Sequence, residues 1–141
     1  MAAFNKFNQF VKDMATKVHN LNSDTLKILL TDVAPVATNA VKADLTEISA
    51  GNGYTAGGSA AAFVSGNQSS GTYKLILSPV VFTASGGSIA QFRYAVLYND
   101  TPTSPADPLI GWYDYGAEIN ITNGNIFTVS IDQTNGVFTF A

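Results

Sequence analysis

One histidine, no cysteine and a loose group of carboxylates are the chemical resources of this chain. His19 falls near the end of a helical pattern, where an imidazole interacts favourably with the helix C-terminal dipole. Without cysteine and with a single histidine, the usual ligand set of a zinc site is missing. A Ser-His-Asp triad would need His19 carried to a strained serine elbow, and no G-x-S-x-G stands in the sequence. Asp100, Asp107, Asp114 and Glu118 gather around one proline-rich loop and are the candidates for a hydrolytic pair or a calcium site. Their spacing follows no EF-hand loop. Asp114 is more economically the partner of Arg93, the only charge on the strand before it, since opposite charges attract across a strand pair. The sequence therefore predicts a non-enzymatic protein with no catalytic residue, no metal and no cofactor.

Aromatic side chains offer a second class of chemistry. Trp112, Tyr113 and Tyr115, with Tyr94 and Tyr98 beside them, are the rings available for stacking on a sugar. The same rings equally suit a core or a subunit interface. The glycine-dense run GNGYTAGG (51–58) has the look of a phosphate loop, but no Lys-Ser/Thr follows it and no helix opens behind it. It reads as a tight crossing that uses positive φ, anchored by Tyr54.

These residues must be positioned by strands. Phe92, Tyr94, Val96 and Tyr98 alternate with Arg93, Ala95 and Leu97, which is strand periodicity with both faces apolar. Leu109–Tyr115 can pair back on that run, so 86–116 reads as the central hairpin. Before it, TLKILLT (25–31) is a first strand, 42–49 a short helical turn or irregular strand, and 59–70 a mobile loop or edge strand. GTYKLILSPVVF (71–82) is one strand with Pro79 at a bulge or edge. After the hairpin, Ile119 and Ile121 lead to the hairpin signal Asn123-Gly124. Phe127, Val129 and Ile131 then point inward, and 137–141 closes the sheet. The fold class is all-β, an antiparallel β-sandwich or jelly roll of about seven or eight strands.

Residues 4–21 read as an N-terminal amphipathic helix, because Phe4, Phe7, Val11, Met14, Val18 and Leu21 keep a heptad seam. Such a helix packs on its own sandwich, or serves as an arm against a neighbouring copy, or lies on a membrane surface. Phe4, Phe7, Phe10, Val11 and Met14 are the residues of that arm that something must cover. The division is a helical arm, 1–22, and a β domain, 23–141.

The chain has 141 residues, enough for one domain burying roughly two thirds of its unfolded surface. Charged residues make up 12%, against about 25% in a typical soluble domain. Such a surface suits a protein partly covered by other subunits. Net charge is −3, and five of the seven Lys and Arg residues (Lys6, Lys12, Lys17, Lys27 and Lys42) lie before residue 43, so the main domain lacks a basic footprint and nucleic acid is not expected as a partner. No apolar run reaches the roughly 20 residues that span a bilayer, and MAAFNKFNQF lacks the apolar centre of a secretory signal, so no membrane association and no Sec export are expected.

The chain resembles the small structural proteins of tailed bacteriophages. The resemblance runs through FNKFNQFVKDMATKVHNL, SDTLKILLTDVAPVA, DLTEISAGNGYTAGG, FRYAVLYND, PLIGWYDYG and FTVSIDQTNGVFTFA, nearly the whole length. It implies a virion component assembled in the host cytoplasm, either a decoration or cement protein of the capsid or a part of the tail or its fibres. A cement protein would be a homo-oligomer, with a trimer favoured, and would bridge major capsid protein subunits. The resemblance also implies docking of the Phe-rich arm on a neighbour. A carbohydrate-binding module for host recognition is the alternative.

Overall fold

The computed structural model describes residues 2–141. Its elements in chain order are β1 (Phe4–Lys6), α1 (Asn8–Ala15), β2 (Leu26–Thr31), a single 3₁₀ turn (Lys42–Asp44), β3 (Ser59–Ala60), β4 (Phe63–Ser69), β5 (Thr72–Leu77), β6 (Val80–Thr83), β7 (Ile89–Asn99), β8 (Leu109–Ile121), β9 (Ile126–Val129) and β10 (Phe138–Phe140). The protein is thus mostly β with one short helix. Every strand pairing is antiparallel. Three sheets form, in the orders β1-β8-β7-β2-β3, β10-β5-β4 and β6-β9.

The anticipated 86–116 hairpin is present as β7 and β8, with Tyr94 opposite Asp114 and Val96 opposite Trp112. A register shift between Phe92 and Tyr94 changes which side chains go together. Phe92 joins Ala95 and Leu97 in the main core, while Val96 and Tyr98 belong to a second cluster on the other face. Simple alternation grouped Phe92 with Tyr94, Val96 and Tyr98. Between Phe92 and Tyr94 the β8 partner moves from Ile119 to Asp114, so the ladder is broken there and the parity reverses.

The main core draws on all three sheets: Ile28 and Leu30 of β2, Leu75 and Leu77 of β5, Val80 and Phe82 of β6, Leu97 of β7 and Val129 of β9 are buried together. The second cluster, Phe7, Leu29, Val96, Tyr98 and Leu109, is smaller, with Leu45 and Trp112 packed against it. Backbone bonds from Leu109 to Ala40, from Lys42 to Asp107 and from Ile48 to Leu30 tie the long connection 32–58 to the sheet.

Four expectations are corrected. Residues 4–21 are not one helix: Phe4–Lys6 form a strand, and α1 stops at Ala15. The stop is a Schellman motif in which Lys17, at φ 66°, takes the left-handed place. Val18 N–H reaches the Asp13 carbonyl at 2.9 Å and Lys17 N–H the Met14 carbonyl at 3.4 Å. Residues 71–82 are two strands, because Pro79 donates nothing to a ladder and the chain leaves one sheet for another there. Ile119 and Ile121 continue β8 past Gly116 rather than opening a new strand. Asn123-Gly124 does turn, with Asn125 N–H on the Thr122 carbonyl, yet the flanking strands β8 and β9 lie in different sheets and do not form a hairpin. The uncertain stretch 59–70 supplies β3 and the edge strand β4.

Candidate functional site

The carboxylates singled out in the sequence do not converge. Arg93 and Asp114 form a two-pronged pair, Nε to Oδ1 at 2.9 Å and Nη2 to Oδ2 at 3.1 Å. The guanidinium, helped by the Gly116 N–H, holds the Asp114 carboxyl below its usual range. Asp100 is paired with Lys27 at 3.1 Å. Asp107 is raised above the ordinary carboxylate range, first by burial and then by the charge of Asp100. Glu118 is exposed on the distal half of β8. Among the described residues, no three acidic or histidine side chains stand together as metal ligands.

The aromatic set is also divided. On β8, Tyr113 and Trp112 point to opposite faces, as neighbours on a strand must. Tyr113 is buried against Phe4, ring centres 5.3 Å apart, and burial pushes its hydroxyl up to about 12. Tyr115 packs edge-on against Phe127 at 5.1 Å. Trp112 alone goes to the second cluster, 4.6 Å from Phe7. Tyr94 and Tyr98 are buried. A three-ring platform of Trp112, Tyr113 and Tyr115 for a sugar is therefore not formed.

The arm residues are covered by their own chain. Phe7 and Phe10 are fully buried, and Phe4 pairs across from Tyr113 in β1–β8. Phe10 sits among Phe138, Phe140 and His19 at ring distances of 5.3, 5.6 and 5.3 Å. Met14 is half-buried, and only Val11 faces outward, at 49% exposure. The heptad spacing misplaced two of the five, since Val11 on the seam is exposed and Phe10 off it is buried, and the cover for Phe4, Phe7 and Phe10 is intramolecular.

The glycine-rich crossing behaves as its sequence predicts. Gly51, Gly53, Gly57 and Gly58 all adopt positive φ, and Tyr54 is buried. At Gly58 the reason is close approach, since a Cβ would lie 1.8 Å from the Ile28 carbonyl oxygen. The carboxylate that completes the crossing, Glu47, was missed. Its Oε1 accepts from Tyr54 OH at 2.6 Å and from Gly57 N–H at 2.5 Å. Tyr54 OH also accepts from Leu30 N–H at 3.0 Å, and Tyr98 OH donates to the Gly57 carbonyl at 2.6 Å. Burial and the Glu47 bond push the Tyr54 hydroxyl far above its ordinary value. An anion-binding loop offers its N–H groups to a ligand. Here the Gly57 N–H is already held by the protein's own carboxylate. A lone acid seven residues before a buried tyrosine carries no sequence signal that would have found it.

His19 is the centre of a second buried polar cluster. Asn99 Nδ2 lies 3.0 Å from His19 Nδ1 and donates to Asp24 Oδ2 at 2.6 Å, while Asn99 Oδ1 accepts from Thr101 N–H at 3.1 Å. Asp13, also buried, receives Gln9 Nε2 on Oδ1 at 3.0 Å. Asp13 Oδ2 and His19 Nε2 have no partner. Burial lowers the His19 pKa, and the charges of Asp13 and Asp24 oppose that shift. A cleft of about 520 Å³ opens beside the cluster, walled by Met14, Lys17, Val18, Leu21, Tyr73 and Phe140 as well as His19 and Asp24.

Exposed apolar side chains occur on strands β4, β6 and β9, besides Val11 on α1 and Val33 and Val36 in the connection after β2. On β6 and β9, Val81 (50% exposed) and Ile126 (62% exposed) share one face with Thr83 and Thr128, to which they are cross-paired. That face has four β-branched side chains and no charge. On β4, Phe63 and Val64 are exposed at a sheet edge.

Comparison with known proteins yields no match among family models, curated proteins or solved structures.

Proposed function

We propose that the protein is a non-enzymatic structural component of a bacteriophage virion, a decoration or cement protein that bridges major capsid protein subunits. In this reading its five-stranded sheet and the two smaller sheets are the layers of a β-sandwich of jelly-roll type. It acts as a homo-oligomer, a trimer by preference, and needs no cofactor. Its sequence resemblance to phage structural proteins motivates the virion assignment. The structural observation that carries an assembly role is the uncharged face Val81–Thr83–Ile126–Thr128. Freedom from charge is what the buried centre of an intersubunit contact requires. The contact surface therefore shifts from the Phe-rich arm, which is internally covered, to the β6–β9 ribbon and the β4 edge.

Light scattering on the purified chain and on a Val81→Glu, Ile126→Glu double variant tests the oligomer. The wild type is expected above monomer mass and the variant at it. Negative-stain images of phage particles carrying a C-terminally labelled copy test the location. Label on the head supports the cement role and label on the tail moves the assignment there. A monomeric wild type together with unlabelled particles refutes the reading.

A further inference from the structure

We propose that the His19–Asn99–Asp24 link is an acid-sensitive latch that holds the 17–24 connection against β7. The geometry fixes the hydrogen-bond roles. The Asn99 amide cannot reverse, because Oδ1 holds the Thr101 N–H and Nδ2 holds the Asp24 carboxylate. It therefore presents an N–H to His19, whose Nδ1 must accept, so the neutral ring keeps its proton on Nε2. Protonating Nδ1 sets two donors against each other inside a site where His19 is 6% exposed and Asn99 is fully buried. A buried donor left without an acceptor carries a large desolvation penalty.

The charged groups around the ring come from two places. Helix α1 contributes Asp13, and the segment before β2 contributes Asp24; both favour the imidazolium. Lys17 is the one cation lining the adjoining cleft. The remaining neighbours are uncharged: Asn99 from β7, the Phe10 ring from α1 and, across the cleft, Tyr73 of β5 and Phe140 of β10. Burial outweighs the two carboxylates, so the folded state resists the proton more than the unfolded chain does. The sign follows from that difference. Stability is complete above the unfolded histidine value of about 6.5 and is lost as pH falls below it, by up to about tenfold in the folding constant per pH unit.

His19 is the only histidine, so its ring resonance needs no assignment. An NMR titration of the wild-type chain is expected to give a midpoint below about 6.5. Over the same interval the Asn99 side-chain amide should shift and the amides of 18–24 should lose exchange protection. Urea unfolding at several pH values supplies the second readout. His19→Asn keeps an oxygen acceptor near the Nδ1 position but cannot take the proton, so its slope in this interval should vanish. The raised Asp107 is common to both chains and cancels in the comparison. A midpoint at or above about 6.5, an unmoved Asn99 amide, or a His19→Asn chain with the wild-type slope overturns the latch. If His19→Asn does not fold, the wild-type titration decides alone.

Discussion

Phe7→Ala is the sharpest test of whether the N-terminal aromatics are core or docking surface. The Phe7 side chain is fully buried and packs in the second cluster with Leu29, Val96, Tyr98 and Leu109, its ring 4.6 Å from Trp112. Truncation removes a whole ring from a site walled by three strands and the N-terminus of α1, whose backbone is pinned by Phe7 N–H on the Ile110 carbonyl and Asn8 N–H on the Ala37 carbonyl. Little collapse is available to fill the hole, so the cost belongs with other buried Phe→Ala changes, about 3–5 kcal/mol. Against a total stability of about 5–15 kcal/mol, that is a large fraction. Trp112 is the only tryptophan and reports on the same site. Urea unfolding followed by its fluorescence should show a lower midpoint with little change in slope, and the folded-state emission should shift to the red. Val11→Ala, on the outer face of the same helix, should stay within about 0.5 kcal/mol of wild type. A Phe7→Ala chain that keeps its midpoint but loses its oligomer or its particle binding would refute the reasoning and restore the arm as a docking element.

Substitutions at two further positions probe close contacts within the fold. Gly111→Ala should detach β1, because the new methyl would sit 2.2 Å from Phe4 Cζ and 2.5 Å from the Asn5 carbonyl oxygen. The expected loss is at least about 1–3 kcal/mol, with exchange protection disappearing first in residues 4–6; unchanged protection there would refute it. Glu47→Ala should cost about 2–3 kcal/mol by stranding Tyr54 OH and Gly57 N–H, whereas Glu47→Gln, which retains an oxygen acceptor, should recover much of it in the same urea titration. Equal losses for both would mean that the carboxylate's charge, not its acceptor geometry, is what the crossing needs.

Local chemistry made several of these features legible. The turn glycines 51–58 and the β7–β8 pair follow from backbone freedom and alternation, and the Arg93–Asp114 pair follows from a lone charge seeking its opposite. What escaped was set by tertiary context. Phe4 and Phe7 keep helical spacing by coincidence, since Phe4 is in β1 and Phe7 is the extended residue just before α1, and the helix stops at a left-handed lysine where no glycine announces it. Asn123-Gly124 signals a turn but not its partners, which lie in different sheets. The two faces of β8 separate Trp112 from Tyr113 and Tyr115, so rings adjacent in sequence share no surface. Glu47 and Asn99 gained their roles from contacts 7 to 80 residues away, which no local pattern encodes.

The pairing of β1 with β8 also sets an order of events during synthesis. Asn5 and Trp112 lie 107 residues apart, so β1 has no partner on the ribosome until the whole stretch up to β8 has followed it. At about 5–20 residues per second, that wait lasts about 5–20 s. Through it Phe4, Phe7 and Phe10 are in water, one short segment holding three rings whose covers have not yet been made. β1 is therefore sealed long after it is made, and the nascent protein stays open to aggregation along residues 4–10 until β8 has followed.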